Sequence, residues 1–89
     1  MKLNEVWSLC KHQQLTLEVL RLLSSNEDIS LYQAVCALTD EPNENYYVIT
    51  FVLNSLFRIA RYDLNPEQTD NAGLARHLVA AIESDVWYL

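Results

Sequence analysis

A chain of 89 residues with twelve acidic and six basic side chains, formal net charge −6, is long enough for one domain and too short for two. Its negative field opposes phosphate backbones and anionic headgroups, so nucleic acid and membrane surfaces are set aside as partners. Hydrophobic residues make up 51% and glycine occurs once, which excludes a disordered chain and implies a dense core or apolar surface shared with a partner.

The charge is unevenly spread. Between Arg21 and Arg58 there is no Lys or Arg, while Glu27, Asp28, Asp40, Glu41 and Glu44 fall inside that gap. Clusters of Ser, Asn, Asp and Pro at 24–28, 39–45 and 63–71 divide the chain into four segments, each cluster suited to a loop that leads into a helix cap.

The first segment, Leu3 to Leu23, reads as helix with a moving apolar face. Leu3, Val6, Trp7 and Cys10 share one side, whereas from Leu15 onward only Lys11, Gln14, Glu18 and Arg21 leave a polar strip. The polar run "KHQQ" sits at the change and predicts a kink there or a change of packing neighbours. The second segment, Ile29 to Leu38, is short: Ser30 and Gln33 have capping-box spacing, and Leu31, Ala34, Val35 and Leu38 form a narrow seam with Tyr32 at its edge.

The third segment carries "YYVITFVLNSLF", the most hydrophobic stretch. It has β-branched and aromatic residues but no strict alternation, and no second strand-like run exists to pair with it. As a helix from Glu44 to Tyr62 it puts Tyr47, Thr50, Asn54, Arg58 and Arg61 on a polar strip and leaves a broad apolar arc, which predicts a central helix. The fourth segment opens with "NPEQ", Asn65 as cap and Pro66 at the first helical position. Gly73 weakens that turn and places the regular helix nearer Asp70. Leu74, Leu78, Ala81, Ile82 and Val86 form its stripe, and the chain closes on "DVWYL".

The expected fold is therefore all-α, a single compact four-helix domain over residues 1–89, bundled or orthogonal, with the third helix central. No catalytic motif is present: there is no glycine-rich phosphate loop, no nucleophile elbow and no paired carboxylates in an apolar setting. Cys10, His12, Cys36 and His77 are the soft metal ligands, and none are spaced as a zinc site requires. We expect no enzyme, no metal and no cofactor, and both cysteines as reduced, buried thiols. The N-terminal stretch lacks a secretory h-region and no apolar run reaches the ~20 residues of a membrane span, so a cytoplasmic protein of a bacterium or phage is the expectation.

The functional expectation is a protein-binding module of the inhibitor, immunity, antitoxin or adaptor kind, acting by occlusion and also able to form a homodimer. Glu41 and Glu44 would steer a basic protein partner, and Tyr46, Tyr47 and Phe51 or the terminal Trp87 and Tyr88 would anchor it. The second reading is a transcriptional regulator, because residues 15–64 have the helix, short helix, turn, long helix rhythm of a winged helix-turn-helix core, with Ile49, Leu53 and Leu56 as anchors. Its recognition helix would present Tyr46, Tyr47, Thr50 and Phe51 where Arg, Lys, Asn or Gln read bases.

Overall fold

The computed structural model describes residues 2–39, 44–63 and 71–85, with side chains through Arg61 in the second stretch. These form five helices: α1 (Leu3–Ser8), α2 (Gln13–Ser24), α3 (Leu31–Leu38), α4 (Glu44–Asp63) and α5 (Asn71–Ser84). No strand occurs among the described residues. The radius of gyration, 12.0 Å, is that of a compact chain of this length.

The fold is all-α as the sequence implies, and the four expected segments are the helical ones. The first divides at the polar run between α1 and α2. Leu9 and Cys10 close α1 through N–H bonds to the carbonyls of Val6 (3.2 Å) and Trp7 (3.0 Å). Gln13 then donates from Nε2 to that same Trp7 carbonyl at 2.9 Å, so a side chain of the second helix satisfies an end group of the first. Inside the bend the Cys10 thiol lies 3.5 Å from the Thr16 hydroxyl, both buried, which gives each polar atom a partner.

Helix α3 starts where the capping box places it. Ser30 Oγ accepts from the Gln33 N–H at 3.2 Å, and Gln33 Oε1 accepts from the Ser30 N–H at 2.7 Å. Leu31, Ala34 and Val35 of its seam are buried, while Leu38 is partly exposed at the helix end. Cys36 is exposed, contrary to the expectation of two buried thiols: it lies between seam positions and faces away from the core. Cys10 is buried, and neither cysteine forms a disulfide.

Helix α5 is described from Asn71 to Ser84, and Asp85 after it takes the left-handed region (φ 55°), a conformation Asp tolerates better than most residues; the expected start near Asp70 lies outside the described residues. Leu74, Leu78 and Ala81 are buried as the stripe implies; Ala72 and Ala75 join them and let the helix approach its neighbour closely. The cap assigned to Asn65 and Pro66, the stripe residue Val86 and the tail "DVWYL" from Val86 onward lie outside the described residues.

α2 and α5 share the most extensive contact, and α4 packs against α1, α3 and α5. Their common core contains Val19, Leu20 and Leu23 of α2, Ile49, Leu53 and Leu56 of α4, and Leu74 and Leu78 of α5. Two exposed ion pairs clip α2 and its following turn to α5: Arg21 to Glu83 at 2.6 Å and Arg76 to Glu27 at 3.4 Å. At this exposure such pairs contribute a few tenths of a kcal/mol, ~1 at most, so the apolar core and not the ion pairs holds the fold.

The register of α4 differs from its sequence reading. The expected polar strip included Thr50, and Phe51 was assigned to the apolar arc. Thr50 is instead buried, and Phe51 is 74% exposed. The buried face is set by Ile49, Leu53, Leu56 and Ala60, so the helix is rotated roughly 60° from the orientation that polarity alone favours. A threonine carries a methyl group and is close to valine in shape, which allows it into the core. Its Oγ1 has no hydrogen-bond partner there among the described residues. Thr50→Val removes that stranded hydroxyl with little change of shape, and chemical denaturation should show a gain of about 1 kcal/mol. An unchanged or lowered stability would mean that the hydroxyl is satisfied.

Candidate protein-binding site

The rotation of α4 decides which side chains face outward. Taking ~100° per residue from Phe51, Glu44 and Arg58 fall within ~20° of the same line, Tyr47 and Ser55 lie ~40° to either side, and Val48 and Asn54 ~60°. Glu44, Tyr47, Phe51 and Arg58 are all exposed, and Val48, Asn54 and Ser55 are half-buried. One continuous stripe therefore runs the length of α4 on the side opposite the core.

Helix α1 widens this stripe into a surface. Leu9, just past the end of α1 at Ser8, stands off the face formed by Leu3, Val6 and Cys10, and it is left 71% exposed. Between it and α4 lies an apolar groove of about 610 Å³, with Val6 and Leu9 on one wall and Val48, Phe51, Val52 and Ile59 on the other. Lys11 and Arg58 stand in the same lining. Among the described residues neither side chain makes an ion pair or hydrogen bond, whereas Arg21 and Arg76 are paired with carboxylates and Arg61 donates to Asn71 Oδ1 at 2.5 Å. The groove thus combines apolar walls with two uncommitted cations.

The sequence-derived anchors separate here. Tyr46 packs against the core from a half-buried position, while Tyr47 is 61% exposed; their rings meet edge to face with centroids 5.2 Å apart and planes at 85°. Tyr46 thereby braces the outer ring of Tyr47 against the fold, a geometry worth about 1 kcal/mol beyond simple burial. Phe51 lies one turn further on, and Glu44 is exposed at the start of the helix. Glu41, Trp87 and Tyr88 lie outside the described residues.

Sequence reasoning missed Leu9, Lys11, Val48, Val52, Arg58 and Ile59 as parts of this surface. The signal for Leu9 was available: it stands ~120° away from the Leu3 face of its own helix. Arg58 is exposed as its place on the polar strip implies, but its part in the groove depends on the approach of α1 to α4.

A second groove, about 660 Å³, lies between α3, α4 and α5, with Tyr32, Asn54, Phe57, Arg58 and Arg61 in its lining. Asn54 Nδ2 is 3.5 Å from the Tyr32 hydroxyl, and the Arg61 guanidinium sits 5.9 Å from the centre of the Phe57 ring. These contacts tie α3 to α4 and hold Arg61 along the helix surface. Among the described residues no group of three or more His, Cys, Asp or Glu could hold a metal ion, and no helix is long and apolar enough to cross a membrane.

No protein-family model matches the chain, and neither a curated protein nor a solved structure matches it.

Proposed function

We propose that this protein is a small acidic protein-binding module of the inhibitor, immunity, antitoxin or adaptor kind, which acts by covering a partner's surface and not by chemistry. One observation carries the reading: Leu9, Tyr47 and Phe51, the three most exposed large hydrophobic side chains of the described residues, lie on the surface formed by α1 and the outer side of α4. Scattered exposed hydrophobics are ordinary, but an aromatic and aliphatic cluster around a groove, rimmed by charge, is the composition of an interface core.

Thr50 and Phe51 reinforce it. Adjacent residues break the burial rule in opposite senses, and such local conflicts are kept where function offsets their cost. The expectation of a basic partner rests on the acidic residues between Arg21 and Arg58, Glu41 and Glu44 among them. At this groove the local chemistry is the reverse, since Lys11 and Arg58 are the charges in its lining, and the partner presents a carboxylate to them.

Affinity capture from extract of the producing cell tests the reading. The wild-type chain should retain at least one protein in near-stoichiometric amount, and Phe51→Glu should lose it. An identical set of retained proteins for both baits would show that the α1/α4 surface is not the binding face.

A further inference from the structure

We propose that the occupant of the α1/α4 surface is a second copy of this chain, docked through antiparallel α4 helices about a two-fold axis at Phe51. The inference rests on reading this surface as protein-binding, and it adds the partner and the register.

The outer stripe of α4 is self-complementary. A two-fold interface needs a surface whose features repeat in reverse about its centre, so that residue i meets j and j meets i. On the exposed stripe of α4, Glu44 stands seven residues before Phe51 and Arg58 seven residues after it. Seven residues return to nearly the same side of a helix, about 10 Å along the axis. Antiparallel pairing centred on Phe51 therefore sets each Glu44 against Arg58 of the other copy, giving two symmetry-related ion pairs that flank an aromatic contact.

The intermediate positions fit the same operation. Tyr47 lies on the same flank as Asn54 of the second copy, and Val48 on the other flank beside Ser55, so that the large exposed ring meets an amide side chain and not another ring. Ser55 leaves room for Val48 of the second copy, because its hydroxyl donates to the Phe51 carbonyl at 2.9 Å and so turns back onto its own helix. Arg58 has no competing acid among the described residues, and Glu44 enters no ion pair there. Every other carboxylate of the described chain is off this stripe. Two copies with a formal charge of −6 each thus meet on a helix stripe whose own charges, Glu44 and Arg58, balance, with Lys11 adding a cation beside it.

The register makes a test that net charge alone cannot imitate. Glu44→Arg and Arg58→Glu each place like charges opposite one another at both ends of the interface, and each should weaken self-association about tenfold or more in sedimentation equilibrium. An equimolar mixture of the two variants restores both pairings and should recover association as a heterodimer, although its total charge equals that of two wild-type chains. The double variant E44R/R58E should also recover it. Circular dichroism confirms folding in each case, which the exposure of both positions favours.

A wild-type chain that remains monomeric at about 0.1 mM would overturn the proposal, as would a mixture no more associated than its components. Capture of a different protein lost with Phe51→Glu would, beside a strictly monomeric chain, leave the binding-face reading standing and remove only the second copy. Loss of both results removes both.

Discussion

Leu53→Ala should lower the stability of this domain by about 3 kcal/mol, and its melting temperature by on the order of 15 °C. Leu53 is fully buried at the centre of α4, in one cluster with Leu20, Leu23, Leu56 and Leu78. Truncation removes the transfer energy of its side chain and leaves a cavity that four helices must relax around. A domain of this size holds only ~4–13 kcal/mol in total, so a large share of the folded population depends on this one residue. Urea denaturation monitored by circular dichroism gives the number. A loss below about 1 kcal/mol would mean that α4 does not sit in the core in the register described.

Two residues away, Phe51→Glu should have the opposite profile. The side chain is mostly exposed and contacts the core little, so its replacement by a good helix former should change stability by no more than about 0.5 kcal/mol. Binding, however, should collapse. A buried aromatic at the centre of an interface is the kind of residue whose loss costs 2 kcal/mol or more, roughly thirty-fold in affinity. At a two-fold axis the substitution also brings two carboxylates together. Comparable binding by the variant and the wild type in sedimentation and capture would place the interface elsewhere; a large drop in stability would mean that Phe51 belongs to the core.

The contrast between Leu53 and Phe51 also shows what the sequence could reveal. The turn at 24–28, helix order, the Ser30 capping box and the break at "KHQQ" follow from local chemistry: side chains that cap, bend or end a helix do so through nearby backbone, and their spacing is visible in the chain. The apolar stripe of α5 was legible because its polar and apolar positions do not compete. In α4 they do. With "YYVITFVLNSLF" apolar on nearly every side, the outer face was assigned from a few polar residues, and Thr50 pulled that assignment toward itself. Packing decided otherwise, because Ile49, Leu53, Leu56 and Ala60 fit the α1, α3 and α5 surfaces and carried Thr50 inward with them.

The candidate site was legible to the same degree. Tyr47 and Phe51 were identifiable as surplus surface on a helix too apolar for one core, Glu44 as a charge at its start, and adjacent tyrosines were bound to point in different directions. What the chain does not spell out is the contribution of α1. Leu9 and Lys11 lie some forty residues before Phe51 in sequence, and only the α1/α4 contact brings them to one groove. Likewise the symmetry of Glu44 and Arg58 about Phe51 has meaning only once Phe51 is known to be the outermost point of the helix.

The central claim is that the outer side of α4 is where this protein meets another protein. A photo-crosslinking phenylalanine analogue at position 51, expressed in the producing cell, reports this directly, with the same group at exposed Glu18 on the polar strip of α2 as control. The account predicts discrete protein adducts at position 51 that are absent at position 18, with the mass of a second copy of the chain among them. Equal labelling at both positions, or no protein adduct at 51, would contradict it.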